Sequence, residues 1–172
     1  MRFCQIQTMP IIKIECIINA PRDRVFDLAR SIDLHQISAE NTNERAVAGR
    51  ISGLIELNET VTWRAKHFGV YQHLTAKISA FDRPNHFTDE MVSGTFKRFK
   101  HQHLFESRPD GTTLMIDLFD YTAPFAFLGK LADVIFLESY MTGFLRNRNK
   151  VIKDFAESDK WKQCLDVSGQ LF

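Results

Sequence analysis

The chain has 172 residues and a mass of 19.9 kDa, with 22 Lys and Arg set against 21 Asp and Glu. A net charge of +1 provides no long-range field to attract nucleic acid or an anionic membrane, so neither is expected as a partner. Hydrophobic residues at 44% and charged residues at 25% exclude a disordered chain, and about 70% of the unfolded surface can be buried at this length, enough to fold without metal or disulfide.

Taken in chain order, Met1 to Ala20 alternates apolar and polar residues, with Lys13 and Glu15 inside the apolar stretch, a pattern unlike a signal peptide. Cys4, Cys16 and Cys164 are odd in number and form no C-x-x-C pair, which argues against a disulfide framework and a structural zinc. A cytoplasmic protein is expected, and Met9 is an alternative start of translation. Ile11 to Asn19 reads as a strand. Pro21 then opens a helix, with Val25, Phe26, Leu28, Ala29 and Ile32 at helical spacing. After a polar loop around Asn41 to Glu44 and a short strand near Arg45 to Gly49, the pattern becomes hairpins. Strands are expected up to His67, over Tyr71 to Phe81, Phe87 to Ser93, Lys97 to Glu106 and Thr113 to Tyr121. Gly69, Asp82-Arg83-Pro84-Asn85, Gly94 and Arg108-Pro109-Asp110-Gly111 turn the chain between them.

Ala126 to Glu157 contains no Pro and reads as one helix of roughly 45 Å at 1.5 Å per residue. Its stripe of Phe127, Leu131, Val134, Met141, Leu145, Ile152 and Phe155 is apolar. Lys130, Asp133 and Glu138 interrupt the stretch and argue against a membrane span. The 15 Phe against 2 Trp and 3 Tyr imply either a large aromatic core or an apolar cavity. A single domain is expected over residues 1–158, its core starting near Ile11, with residues 159–172 as a tail that either docks on the sheet or mediates a homodimer.

Several short motifs in this order resemble the START-like, or SRPBCC, superfamily, whose helix-grip fold is also that of the major birch-pollen allergen. They are Asn19-Ala20-Pro21 leading into Val25-Phe26, Val61-Thr62-Trp63, Phe81-Asp82-Arg83-Pro84 and the final helix. A bacterial branch with ligand-binding and cyclase/dehydratase-like members is suggested by His67-Phe68-Gly69, Asp89-Glu90-Met91, Gly94-Thr95-Phe96, His101-Gln102-His103, Met115-Ile116-Asp117, Ala123-Pro124-Phe125 and Arg148. The resemblance spans Ile11 to about Glu157. It implies an α+β fold in which a curved antiparallel sheet of six or seven strands wraps a long C-terminal helix. Members of the superfamily bind lipids, sterols or polyketides, some cyclise or dehydrate aromatic polyketides, and others act as co-chaperones. A sheet that grips one helix about 10 Å wide leaves a tunnel lined by alternate strand residues.

Within that frame His101 and His103 share a strand face with Phe99 and Phe105. They read either as polar anchors or proton shuttles in a cavity, or as half-buried histidines satisfied by neighbours. Asp117 lies between Met115 and Phe119 and is expected to pair with the histidines; Asp89 reads either the same way or as a surface charge. A metal would need a third ligand from His67, His73, Glu90 or Asp117. No spacing demands one, so no metal or cofactor is expected. Glu138 and Arg148 each face either the tunnel or solvent. Trp63 and Tyr71 flank the His67 hairpin and are expected to line the tunnel. The run Lys97-Arg98-Phe99-Lys100-His101 is basic, but alternation puts Arg98 and Lys100 on the face opposite Phe99, which reads as an ordinary solvated strand.

The expected ligand contacts are thus Trp63, His67, Tyr71, Phe99, His101, His103, Phe105, Met115 and Asp117 on the sheet, with Leu131, Val134, Met141 and Leu145 on the helix. Non-covalent binding of a hydrophobic small molecule (a lipid, isoprenoid or polyketide-like aromatic) is the leading expectation. The alternatives are a polyketide cyclase/dehydratase-type enzyme using His101, His103 and Asp117, and a co-chaperone-like interaction module.

Overall fold

The structure is a computed structural model that describes residues 11–67, 69–123 and 131–165, with the side chains of residues 131–135 outside the description. Seven strands form one antiparallel sheet in the order β1-β7-β6-β5-β4-β3-β2. They are β1 (Ile11–Ile18), β2 (Arg45–Gly49), β3 (Thr60–His67), β4 (Val70–Asp82), β5 (His86–Ser93), β6 (Arg98–Ser107) and β7 (Thr113–Thr122). From β3 onward each strand pairs with the next through a short turn, and β1 closes on β7, as the spacing of Gly, Pro and Asn predicts.

Between β1 and β2 the sequence predicts one helix, whereas the structure has two, α1 (Arg22–Ala29) and α2 (Ile32–Ser38). The break comes at Ser31, whose hydroxyl accepts the Leu34 backbone N–H and starts a new helix in a new direction. Ile32, read as the end of the first stripe, is the first residue of α2. The long helix α3 (Leu131–Ala156) has 26 residues. Its expected beginning at Ala126 lies outside the described residues, as does Phe127. Among the described residues no helix is long and apolar enough to cross a membrane.

Of the expected tail over residues 159–172, the structure describes 159–165. After a 3₁₀ turn over Asp159–Trp161, the short α4 (Lys162–Leu165) folds back against α1. Cys164 is buried in the main core and Trp161 lies under the Arg24 guanidinium, 4.6 Å from ring centroid to Cζ. The described part of this segment packs against α1.

Alternation along β6 and β7 decides what faces inward. Phe99, His101, His103 and Phe105 are buried on β6, and Thr113, Met115, Asp117, Phe119 and Tyr121 on β7. At one end of this concave face Phe26 of α1 meets Phe81, Phe87 and Phe105 edge-to-face, with centroids 5.4, 5.5 and 5.3 Å away. That end is solid core. Further along, between the sheet and α3, the packing opens into a cavity.

Candidate functional site

The cavity has a volume of about 190 Å³ and is bounded by β3 to β7, α2 and α3. Most of its wall is apolar, supplied by residues such as Trp63, Leu74, Ile78, Phe99 and Phe119. Of the expected contacts, Trp63, His67, Phe99, His101, His103, Met141 and Leu145 line it. Leu137, Tyr140 and Phe144 of α3 also line it, within one helical turn on either side of Met141.

Three expected contacts lie deeper than predicted. Phe105 and Met115 belong to the solid core under α1, because Phe26 fills the space their strand positions face. Asp117 is fully buried behind the two histidines rather than on the cavity wall. Tyr71 departs from expectation altogether. It is opposite in strand parity to Leu74 and Ala76, so it stands on the outer face, 47% exposed, beneath the Arg64 guanidinium and with its hydroxyl near Asn43. The side chains of Leu131 and Val134 lie outside the described residues. Glu138 is exposed on the outer side of α3.

The polar end is set by strand register. Asp89 on β5 sits opposite His101 on β6, and His103 sits opposite Asp117 on β7, so two carboxylates flank two imidazoles on the same sheet face. His103 Nε2 is 3.0 Å from Asp89 Oδ1, and its Nδ1 is 2.6 Å from Asp117 Oδ1. His101 Nε2 is 3.3 Å from that same Asp117 oxygen, and His101 Nδ1 is 3.8 Å from Asp89 Oδ1. The rings of His101 and His103 are 3.9 Å apart, and Phe87 stacks on His103 at 4.2 Å. From α3, Asn149 Nδ2 donates to Asp117 Oδ2 at 2.5 Å. Arg148 Nη2 donates to the Ala29 carbonyl at 2.6 Å, while its buried Nη1 has no hydrogen-bonding partner among the described residues.

Burial raises the Asp117 carboxyl pKa, but the His103 charge and the two adjacent imidazoles outweigh it and hold the group well below the usual carboxylate range. Asp89 behaves alike: burial raises it, but the hydrogen bond from His103 and the neighbouring cationic charges outweigh this and lower it. The histidines separate. Burial and the charge of His103 lower His101, whereas at His103 the pull of Asp117 and Asp89 overcomes burial and raises it. The two adjacent imidazoles are thus driven in opposite directions.

Around the rest of the cavity the polar groups pair with one another. His67 Nδ1 is 2.7 Å from the Tyr140 hydroxyl, and His35 stacks on Trp63 at 4.1 Å while its Nε2 lies 2.9 Å from Glu44. His73 and Glu90, weighed as third metal ligands, point to the outer face. Asp89 takes that place instead: one ligand atom each from Asp89, His101 and His103 lies within 4.8 Å of the others.

Sequence reasoning missed Asn149, although a signal was present. Arg148, Asn149 and Ile152 follow Leu145 at three, four and seven residues along α3, so two polar residues occupy stripe positions.

A seven-stranded curved antiparallel sheet closed on a long C-terminal helix, with a cavity between them, is the α+β helix-grip fold of START-like proteins. Solved structures share it. A START superfamily protein from Mycobacterium smegmatis aligns at a TM-score of 0.65 and 8% identity over 86% of this chain and 97% of its own. A protein from Thermus thermophilus aligns at 0.64 and 16% identity over 83% of this chain and 97% of its own. Ginseng major latex-like protein 151 from Panax ginseng aligns at 0.62 and 14% identity, covering 87% of this chain and 99% of its own. At such identities the likeness is one of fold. No protein-family model matches the sequence, and no curated protein matches it.

Proposed function

We propose that the protein binds a small hydrophobic molecule in the cavity between sheet and α3, with the ligand's polar end turned toward His101, His103 and Arg148. The observation that carries this reading is the division of the wall: apolar over most of its area, with buried, charged and incompletely bonded groups gathered at one end. Apolar walls supply burial at about 25 cal/mol per Å², while a few convergent polar groups select orientation. Arg148 Nη1 favours an acidic or carbonyl-bearing ligand, since a buried guanidinium N–H without an acceptor gains most from one. A cavity of about 190 Å³ is below the roughly 300–1,000 Å³ of drug-sized sites and suits a slender or compact ligand. A walled cavity favours this reading over an interaction module, which would act through an exposed face.

Native mass spectrometry of the purified chain tests for a co-purified ligand, and titration with anilinonaphthalene sulfonate tests uptake directly. Ala76 is buried in the wall, so Ala76→Phe fills the cavity. It is expected to weaken probe uptake by about tenfold or more, the effect of removing pocket contacts worth about 1–3 kcal/mol. Equal uptake by the folded variant would overturn the reading.

One observation favours a second reading, an acid–base enzyme of the cyclase/dehydratase type. The environments of His101 and His103 push their proton affinities apart, which suits a base beside an acid. In that case His101→Gln with His103→Gln abolishes turnover of an enolisable polyketide-like substrate while sparing apolar uptake; unchanged turnover removes both from the chemistry.

A further inference from the structure

We propose that Asp89, His101 and His103 form a binding site for one divalent first-row transition-metal ion at the polar end of the cavity, with Asp117 holding both imidazoles from behind. The argument starts from which nitrogen faces which acid. Each histidine turns one ring nitrogen toward Asp117 Oδ1, His103 Nδ1 at 2.6 Å and His101 Nε2 at 3.3 Å. Without an ion His103 Nε2 hydrogen-bonds Asp89 Oδ1. An ion on the Asp89 side would replace that bond, take the lone pairs of His103 Nε2 and His101 Nδ1, and leave each ring proton on the nitrogen facing Asp117. A buried carboxylate behind a histidine, itself anchored by Asn149 Nδ2, is the arrangement that orients and strengthens imidazole ligands.

The spacing agrees. Ligand atoms about 2.0–2.2 Å from an ion stand about 2.9–3.6 Å apart at octahedral or tetrahedral angles. Asp89 Oδ1 lies 3.0 Å from His103 Nε2 and 3.8 Å from His101 Nδ1, and the three ligand atoms all lie within 4.8 Å of one another, so modest side-chain adjustment brings them onto one ion. All three residues line the cavity, so the remaining coordination positions face its interior. Two imidazoles and one carboxylate with open positions suit zinc, iron(II) or cobalt(II) rather than magnesium or calcium, which require an oxygen-rich set.

Charge supports the same occupant. Asp89, Asp117 and Arg148 sum to −1 with both rings neutral, and a divalent ion changes this to +1. An anionic ligand group placed between the ion and Arg148 Nη1 would then balance the site. The site does not depend on the apolar-ligand reading, and the two are measured separately.

The test uses the untagged 172-residue chain, stripped with a chelator and titrated with Co²⁺, followed by its visible d–d absorption, and with Zn²⁺ by calorimetry. The expected result is saturable binding of one ion per chain. Asp89→Asn and His101→Gln should each weaken it by at least about tenfold, and Asp117→Asn by about 10–100-fold as a positioning residue. His73→Ala, on the outer face, should leave it unchanged. Circular dichroism checks that each variant is folded, and Asp89→Asn decides alone if a histidine variant is not. Absence of saturable binding, or binding that survives Asp89→Asn and disappears with His73→Ala, would overturn the site; a proton on His103 would then be what joins the two carboxylates. Probe uptake by the metal-free chain in the same samples tells failure of this site from failure of the ligand reading.

Discussion

Asn149 of α3 donates its side-chain N–H to Asp117 Oδ2 of β7 at 2.5 Å, across the interior and out of contact with water. The bond joins the gripped helix to the gripping sheet at the point where the polar cluster begins. Asp117 is acceptor-only when ionised; its Oδ1 lies 2.6 and 3.3 Å from the two histidines without a well-aligned hydrogen bond, so Asn149 supplies its one side-chain hydrogen bond among the described residues.

Removing that donor should be costly. Asn149→Ala is expected to destabilise the fold by about 1–3 kcal/mol, the usual cost of stranding a buried polar group. Asn149→Asp should be worse, because it sets a second carboxylate against the first. Urea denaturation of the three proteins measures both; an Asn149→Ala loss indistinguishable from zero would show that the bond does not tie helix to sheet.

Trp63 and Tyr71 separate the inner face from the outer. Both flank the same hairpin, yet Trp63 is buried against His35 on the cavity wall and Tyr71 is half-exposed beneath Arg64. Tyr71→Ala should leave anilinonaphthalene sulfonate uptake within about twofold and stability within about 0.5 kcal/mol, as for other surface sites. Trp63→Ala should cost about 3–5 kcal/mol and alter uptake. Fluorescence titration alongside thermal melts checks both, and a strong uptake effect from Tyr71 would contradict the assignment of faces.

Asp27 gives a pH signature outside the histidine cluster. Its carboxylate accepts from Arg30 Nε at 2.8 Å and Arg83 Nη2 at 2.6 Å. Burial raises its pKa, but those guanidinium bonds prevail and the native value falls below the ordinary 3.8. With the native value below the unfolded one, the stabilisation is complete above pH 3.8 and disappears as pH falls through the native value. Asp27→Asn should therefore cost about 1.5–3 kcal/mol near neutrality. The gap to the parent should stay level down to about pH 5 and close below 3.8. Urea midpoints from pH 7 to pH 3 measure this; a gap that stays level throughout would remove the ion pairs as its cause.

Strand alternation, the turn residues and the apolar stripe are local properties, so the sequence sufficed for the sheet, the long helix and the inward face of β6 and β7. The same logic placed His101 and His103 beside Phe99 on one face. Two kinds of information were not local. One was the break at Ser31, where a capping bond outcompetes an otherwise continuous apolar pattern.

The other was register. A period of two assigns Asp89 and Asp117 to a face but cannot say which residue of the neighbouring strand each will oppose. Only the pairing of Asp89 with His101 and of Asp117 with His103 turned four scattered polar residues into one cluster. Likewise the stripe on α3 identified Leu145, yet Asn149 acquired a role only when the helix docked over β7. By itself the sequence determined a curved sheet holding a helix and the residue types facing inward. The tertiary structure decided where side chains fill that interior and where they leave a cavity, because this depends on volumes contributed by elements far apart in the chain.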